Sequence, residues 1–113
     1  MIALTVGVAA GCVTRPSWMK PAPTRSWPRT FSEATVASET GRYDVADRRL
    51  ATFAQAYPNT PEAAESLFWR ALFRLDPSNP GASPREAGVL FDEYLATPAP
   101  RPRDIDARVL RRT

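Results

Sequence analysis

Few residues of this chain are of types and at spacings that do chemistry. Asp104 and Asp106 stand two apart, and Asp92 and Glu93 are adjacent in what reads as another helix. Paired carboxylates can exchange protons, but general acid–base work is most often done by histidine, and the chain has none. These acids read as helix caps and solvated face. The sequence has no glycine-rich phosphate loop, no nucleophile elbow and no Cys/His cluster at metal spacing. A single cysteine, Cys12, excludes an intramolecular disulfide. The sequence therefore predicts a protein that is not an enzyme and carries no cofactor or metal, and it leaves the Cys12 thiol as the one group open to covalent chemistry.

The residues ahead of that thiol say what the chemistry would be. Ile2 to Ala10 is an uncharged, mostly apolar run, too short to span a bilayer but of the length of a secretory signal's apolar region. It ends in Ala9-Ala10-Gly11-Cys12, and small residues directly before a cysteine resemble the bacterial lipobox. The resemblance implies that residues 1–11 are a signal peptide removed by signal peptidase II and that Cys12 is diacylated as the first residue of the mature chain. It places the protein in the cell envelope. Val13, which is not the aspartate of inner-membrane retention, favours the outer membrane facing the periplasm.

Val13 to Thr30 holds four prolines, four basic residues (Arg15, Lys20, Arg25, Arg29) and no acid. Proline removes backbone donors and favours extended conformations. With Cys12, this stretch (12–30) reads as a disordered, extended Pro/Arg-rich tether, whose 18 residues after the cysteine reach about 50 Å at ~3.1 Å each.

The folded unit is expected over 31–113, all-α. Phe31 to Thr40 reads as a first helix with Ser32 as N-cap. Gly41 and Arg42 turn the chain into a second helix, in which Tyr43, Ala46, Leu50, Phe53 and Tyr57 recur at steps of three and four and so share one face. Pro58 stops it. Thr60 caps a third helix that opens with Pro61, the position proline tolerates best. Its broad apolar face is Ala64, Leu67, Phe68, Ala71, Leu72 and Leu75, with Trp69 and Phe73 as a second stripe and Glu62, Ser66, Arg70 and Arg74 on the polar side. A helix this apolar around its girth is expected to be contacted on two sides. Ser83 and Glu86 form a capping box for a fourth helix with Ala87, Leu90, Phe91, Tyr94 and Leu95 on one face. Asp104 caps a last short helix that runs to Arg112, with Ile105 and Val109 apolar.

Ala46–Leu50–Phe53 repeats as Ala87–Phe91–Tyr94 41 residues later, with Pro58 and Pro98 following each. Self-similarity at that period marks arrays of helical hairpins. Gly41, Tyr43, Ala46, Leu50, Phe53 and Pro58 resemble the turn glycine, second-helix positions and closing proline of a tetratricopeptide repeat. The stretch from Gly41 to Leu75 is similar to repeats of outer-membrane barrel-assembly lipoproteins and of the periplasmic Tol–Pal-associated repeat protein. Tyr57-Pro58-Asn59-Thr60-Pro61-Glu62-Ala63 matches their Y-P-x-[ST]-x-x-A connection. Phe68, where a small residue is usual, and the eight-residue loop Asp76 to Ser83 depart from the pattern. The expected architecture is two tetratricopeptide-like hairpins plus the start of a fifth helix.

Charge is partitioned: +4 over 13–30, −4 over 31–100 and +3 over 101–113. Basic groups confined to the terminal segments, behind a segment that directs the chain out of the cytoplasm, argue against a small helical nucleic-acid-binding protein and for a membrane or protein partner. The expected function is a lipid-anchored envelope scaffold that binds another protein, with envelope assembly or maintenance as its setting. The alternative is a soluble, non-lipidated helical-repeat adaptor. Two hairpins supply a thin core and leave large apolar residues to spare, so Trp69, Phe73, Leu90 and Tyr94 are the candidate protein-binding residues, for a partner or for a second copy.

Overall fold

The computed structural model describes residues 20–98 and 100–113, and among these every regular element is an α-helix. The helices are α1 (Pro23–Glu39), α2 (Tyr43–Ala56), α3 (Pro61–Leu75), α4 (Pro84–Leu95) and α5 (Asp104–Arg111). Cys12, the signal segment and the tether up to residue 19 lie outside the described residues.

Each helix packs mainly on its neighbours in sequence, α1 on α2, α2 on α3, α3 on α4 and α4 on α5, and α1 also touches α3. Side chains show that α1, α2, α3 and α4 alternate in direction. Trp27 near the start of α1 meets Phe53 near the end of α2, with ring centroids 5.1 Å apart. Asp47 in the first half of α2 pairs with Arg70 in the second half of α3 at 2.9 Å. Arg74 at the end of α3 pairs with Glu86 at the start of α4 at 3.0 Å. Asp92 in the second half of α4 also pairs with Arg111 at the end of α5, at 2.6 Å, a contact that does not order the two helices. Short connections between packed helices impose this alternation.

The turns are built as their residues dictate. Gly41 has φ of +80°, the left-handed conformation open to glycine without a side-chain clash. There the Arg42 N–H donates to the Ala37 carbonyl at 2.8 Å and the Gly41 N–H to Ser38 at 3.1 Å, the paired bonds of a Schellman C-terminus. Thr60 caps α3 by accepting the Ala63 N–H at 3.1 Å. Ser83 caps α4 by accepting the Glu86 N–H at 3.2 Å. The reciprocal half of the expected capping box is replaced: the Ser83 N–H donates to the Arg74 carbonyl at 2.9 Å, and the Glu86 carboxylate turns to the Arg74 guanidinium.

Two expectations need correction. The first helix starts at Pro23, so Pro23–Thr30 is helix and not extended tether, and Ser32 lies inside α1 and does not cap it. Trp27, Phe31 and Ala34 are spaced by four and three and form a helix face that joins the first core. Pro23 occupies the first helical position. Pro28 sits on an exposed face, where the carbonyl it leaves unbonded, that of exposed Thr24, can turn to water. The second correction concerns α5: its N-cap is Arg103, which makes no side-chain cap, so Asp104 lies inside the helix and does not cap it. Its buried residue is Ala107, with Leu110 packed beside it, whereas Ile105 and Val109 point outward.

The core has two parts. Ala34, Ala37, Ala46 and Leu50 form one, where small residues let α1 and α2 approach closely. Phe68, Ala71, Ala87, Leu90, Phe91, Tyr94 and Ala107 form the other, joining α3, α4 and α5. The six residues of the 41-residue correspondence are all buried, none more than 5% exposed. Burying a side chain such as Leu50 or Phe91 contributes about 1.5–3 kcal/mol, so these positions carry much of the stability.

Candidate protein-binding surface

Helix α3 connects the two cores, and Trp69 is its junction, packing against both clusters. The indole stacks at 4.8 Å from Phe31 of α1, at 5.6 Å from Phe68 and at 6.4 Å from Phe73. Phe68 passes the chain of rings on to Phe91 and Tyr94. Phe73 passes it to Tyr43, and Phe31 to Trp27, Phe53 and Tyr57. Every aromatic residue among those described therefore belongs to one connected network.

The four residues predicted to bind a partner separate on this geometry. Leu90 and Tyr94 are core: they are 9% and 1% exposed, closed over by α3 and α5. They offer no surface to a partner, because α5 covers the face of α4 that the sequence left open. Trp69 and Phe73 are half-buried and reach the surface. The Trp69 indole N–H donates to the Glu65 carboxylate at 3.3 Å, and that carboxylate also takes Arg103 at 2.6 Å. The Arg103 guanidinium lies over the rings of Trp69 and Phe68, at 4.9 and 5.2 Å from their centroids. Cation–π contact and ion pair together cap Trp69 with a charged lid, so Trp69 serves the fold more than a partner.

Phe73 lies in an open groove of about 560 Å³ between α2, the end of α3 and the loop that follows, lined also by Tyr43, Asp44, Asp47, Arg48 and Asn79 to Gly81. Of the expected polar side of α3, Arg74 lines the groove, Arg70 turns to Asp47 of α2, and Ser66 is fully buried and donates to the Ala63 carbonyl at 2.8 Å. The loop wall is firm. Asn79 donates to the Phe73 carbonyl at 3.0 Å and accepts the Gly81 N–H at 2.8 Å.

At the rim, the Tyr43 hydroxyl donates to Asp76 at 2.7 Å. That bond raises the phenol above its ordinary value of 10.0. It also holds the Asp76 carboxyl below its ordinary 3.8, helped by the Ser78 N–H that donates to Asp76. Asp76 thus stays ionised and keeps Tyr43 fixed over the groove. Asp44 and Arg48 make no ion pair among the described residues. The groove therefore combines two aromatic faces with one acid and one base still open to a ligand, the inventory that grips a polypeptide segment by stacking and charged hydrogen bonds.

Among the described residues no group of three or more His, Cys, Asp or Glu could hold a metal ion. No described helix is long and apolar enough to cross a membrane. Sequence reasoning missed Tyr43 and Asp44 as groove residues, since nothing in their spacing distinguishes a groove rim from a solvated helix start. Compared with protein-family models, with characterised proteins and with solved structures, the chain matches none of them.

Proposed function

We propose that this chain is a non-enzymatic scaffold, held at the cell envelope by an acylated Cys12, that binds another protein through tetratricopeptide-like helical hairpins. The observation that carries the protein-binding part is the groove at Phe73. Its aromatic walls are fixed by Tyr43–Asp76 and Asn79, while Asp44 and Arg48 are left open beside them. Nearest-neighbour packing of alternating helices supports the repeat reading, because such arrays present one continuous side to partners without closing on themselves. The small-residue contact of Ala34 and Ala37 with Ala46 supports it too. The anchor rests on the Ala9-Ala10-Gly11-Cys12 pattern. On this reading the outer membrane, facing the periplasm, is the place of action, and the partner is a protein of that compartment.

Photo-crosslinking in a native bacterial host tests the binding surface. A benzoyl-phenylalanine at position 73 should give a discrete protein adduct. The same probe at exposed Glu39, outside the groove, should not, and Asp44→Arg with Arg48→Glu should remove the position-73 adduct. Equal labelling from both positions, or none from position 73, contradicts the proposal.

A further inference from the structure

The structure points to a second contact surface, separate from the groove: we propose that the outer face of α5 docks on an anionic lipid surface. Ile105 and Val109 lie one helical turn apart and are 76% and 57% exposed, the two most exposed large hydrophobics described. Arg108 and Arg112, also a turn apart, stand beside them on the same outward side. The opposite side of the helix is the one already in use, through Ala107 and Leu110. The stripe is therefore apolar along its centre and basic along one flank. Arg108, Arg111 and Arg112 also line an open cleft of about 580 Å³ with Leu95, where Arg111 is held by Asp92 at 2.6 Å.

Charge selects the occupant. Residues 31–100 carry −4 and residues 101–113 carry +3, so basic groups face an anionic surface at this end, as they also do at the start of α1, where Lys20, Arg25 and Arg29 have no acid before Glu33. Of the two acids in the segment, Asp104 pairs with Arg101 at 3.0 Å and Arg108 at 3.2 Å, which leaves Asp106 as the one exposed and without an ion pair among the described residues.

Size argues the same way. Eight residues make a helix about 12 Å long. One face of it falls far short of the roughly 800 Å² per partner that a stable protein interface buries. A second copy or a folded partner seated here alone would be weakly held. A bilayer interface has no such threshold: each apolar side chain that enters it, and each cation that meets the headgroups, adds to the binding. The inference does not rest on acylation of Cys12, although an acyl anchor would raise the local concentration of α5 at the membrane.

The test uses the full chain carrying Cys12→Ser, so that no acyl group contributes. Flotation is measured with phosphatidylcholine vesicles and with vesicles containing about one-third phosphatidylglycerol. The expected result is binding to the anionic vesicles that weakens with salt, with α5 amides protected from hydrogen exchange when bound. Arg108→Gln with Arg112→Gln should lower the partition coefficient about 10- to 30-fold. Ile105→Ser with Val109→Ser should lower it as well. All four positions are exposed, so the variants should keep the parent's helicity. The proposal is overturned if both double variants float like the parent, which would assign binding to the N-terminal segment. It is overturned if millimolar inorganic phosphate displaces the protein completely, which would mark a free-anion site. It also fails if neither vesicle type binds while the parent self-associates in ultracentrifugation and the Ile105/Val109 variant does not, which would name a second copy as the occupant.

Discussion

Tyr94 of α4 accepts the backbone N–H of Arg103 at 3.0 Å, and this bond sets where α5 begins. Arg103 is the N-cap of α5 and makes no side-chain cap. Its N–H is instead held by a hydroxyl inside the second core. The same residue lays its guanidinium over Phe68 and Trp69, so α5 is registered against α4 by its backbone and against α3 by its side chain.

Tyr94→Phe keeps the ring and removes that acceptor. The expected cost is about 1 kcal/mol, the net value of a typical hydrogen bond, read from chemical denaturation. A pH dependence separates the hydroxyl from the ring. Burial raises the Tyr94 phenol above its ordinary 10.0, so the folded chain keeps a proton that the unfolded chain gives up. The parent's stability should hold below pH 10 and fall as pH rises from 10 through the raised value. The Phe variant should lose that part of the alkaline decline. Identical alkaline limbs would contradict the burial of the hydroxyl.

Ala46 is fully buried where α1 meets α2. Ala46→Leu should overpack the contact and cost about 1–3 kcal/mol. Arg48→Ala, at an exposed position of the same helix, should stay within roughly 0.5 kcal/mol. Equal shifts in the unfolding midpoint would put the first hairpin in the wrong register.

The rim of the groove should respond to acid. Because the Asp76 carboxyl is held below its ordinary 3.8, its contribution is present above that value and is lost as pH falls through the depressed one. Asp76→Asn should flatten this part of the acid limb. The Tyr43 ring signal should move with pH in the parent and not in the variant when followed by NMR. A Tyr43 signal indifferent to acid in the parent would remove Asp76 as its anchor.

Much of the helical framework was legible because it is written locally. Thr60-Pro61 and Ser83-Pro84 announce the starts of α3 and α4, Gly41 the turn before α2, and the repeated Ala–aromatic spacing the inward faces. Tertiary contacts decided the rest. The first two turns of α1 exist because Trp27 reaches Phe53 and the Tyr57 hydroxyl donates to the Pro21 carbonyl at 2.7 Å, and neither contact leaves a mark in a proline-rich stretch. Two hairpins alone leave Leu90 and Tyr94 to spare, and they are core because Ala107 and Leu110 of α5 close over them. In α5 the inward position does not fall to the largest apolar residues. Ile105 and Val109 are its larger apolar residues, but the close approach to α4 needs a small one, and Ala107 took the inward position. The groove was the least legible feature, since its walls come from two helices and a loop that meet only in the fold.

Mass spectrometry of the intact protein from the membrane fraction of a native bacterial host tests most directly the proposal that an acylated Cys12 holds the chain at the envelope. The predicted result is a mature chain that lacks residues 1–11 and begins with an acylated Cys12, and that leaves the membrane fraction when Cys12 is replaced by Ser. A chain that retains Met1 and carries a free thiol at position 12 would contradict it.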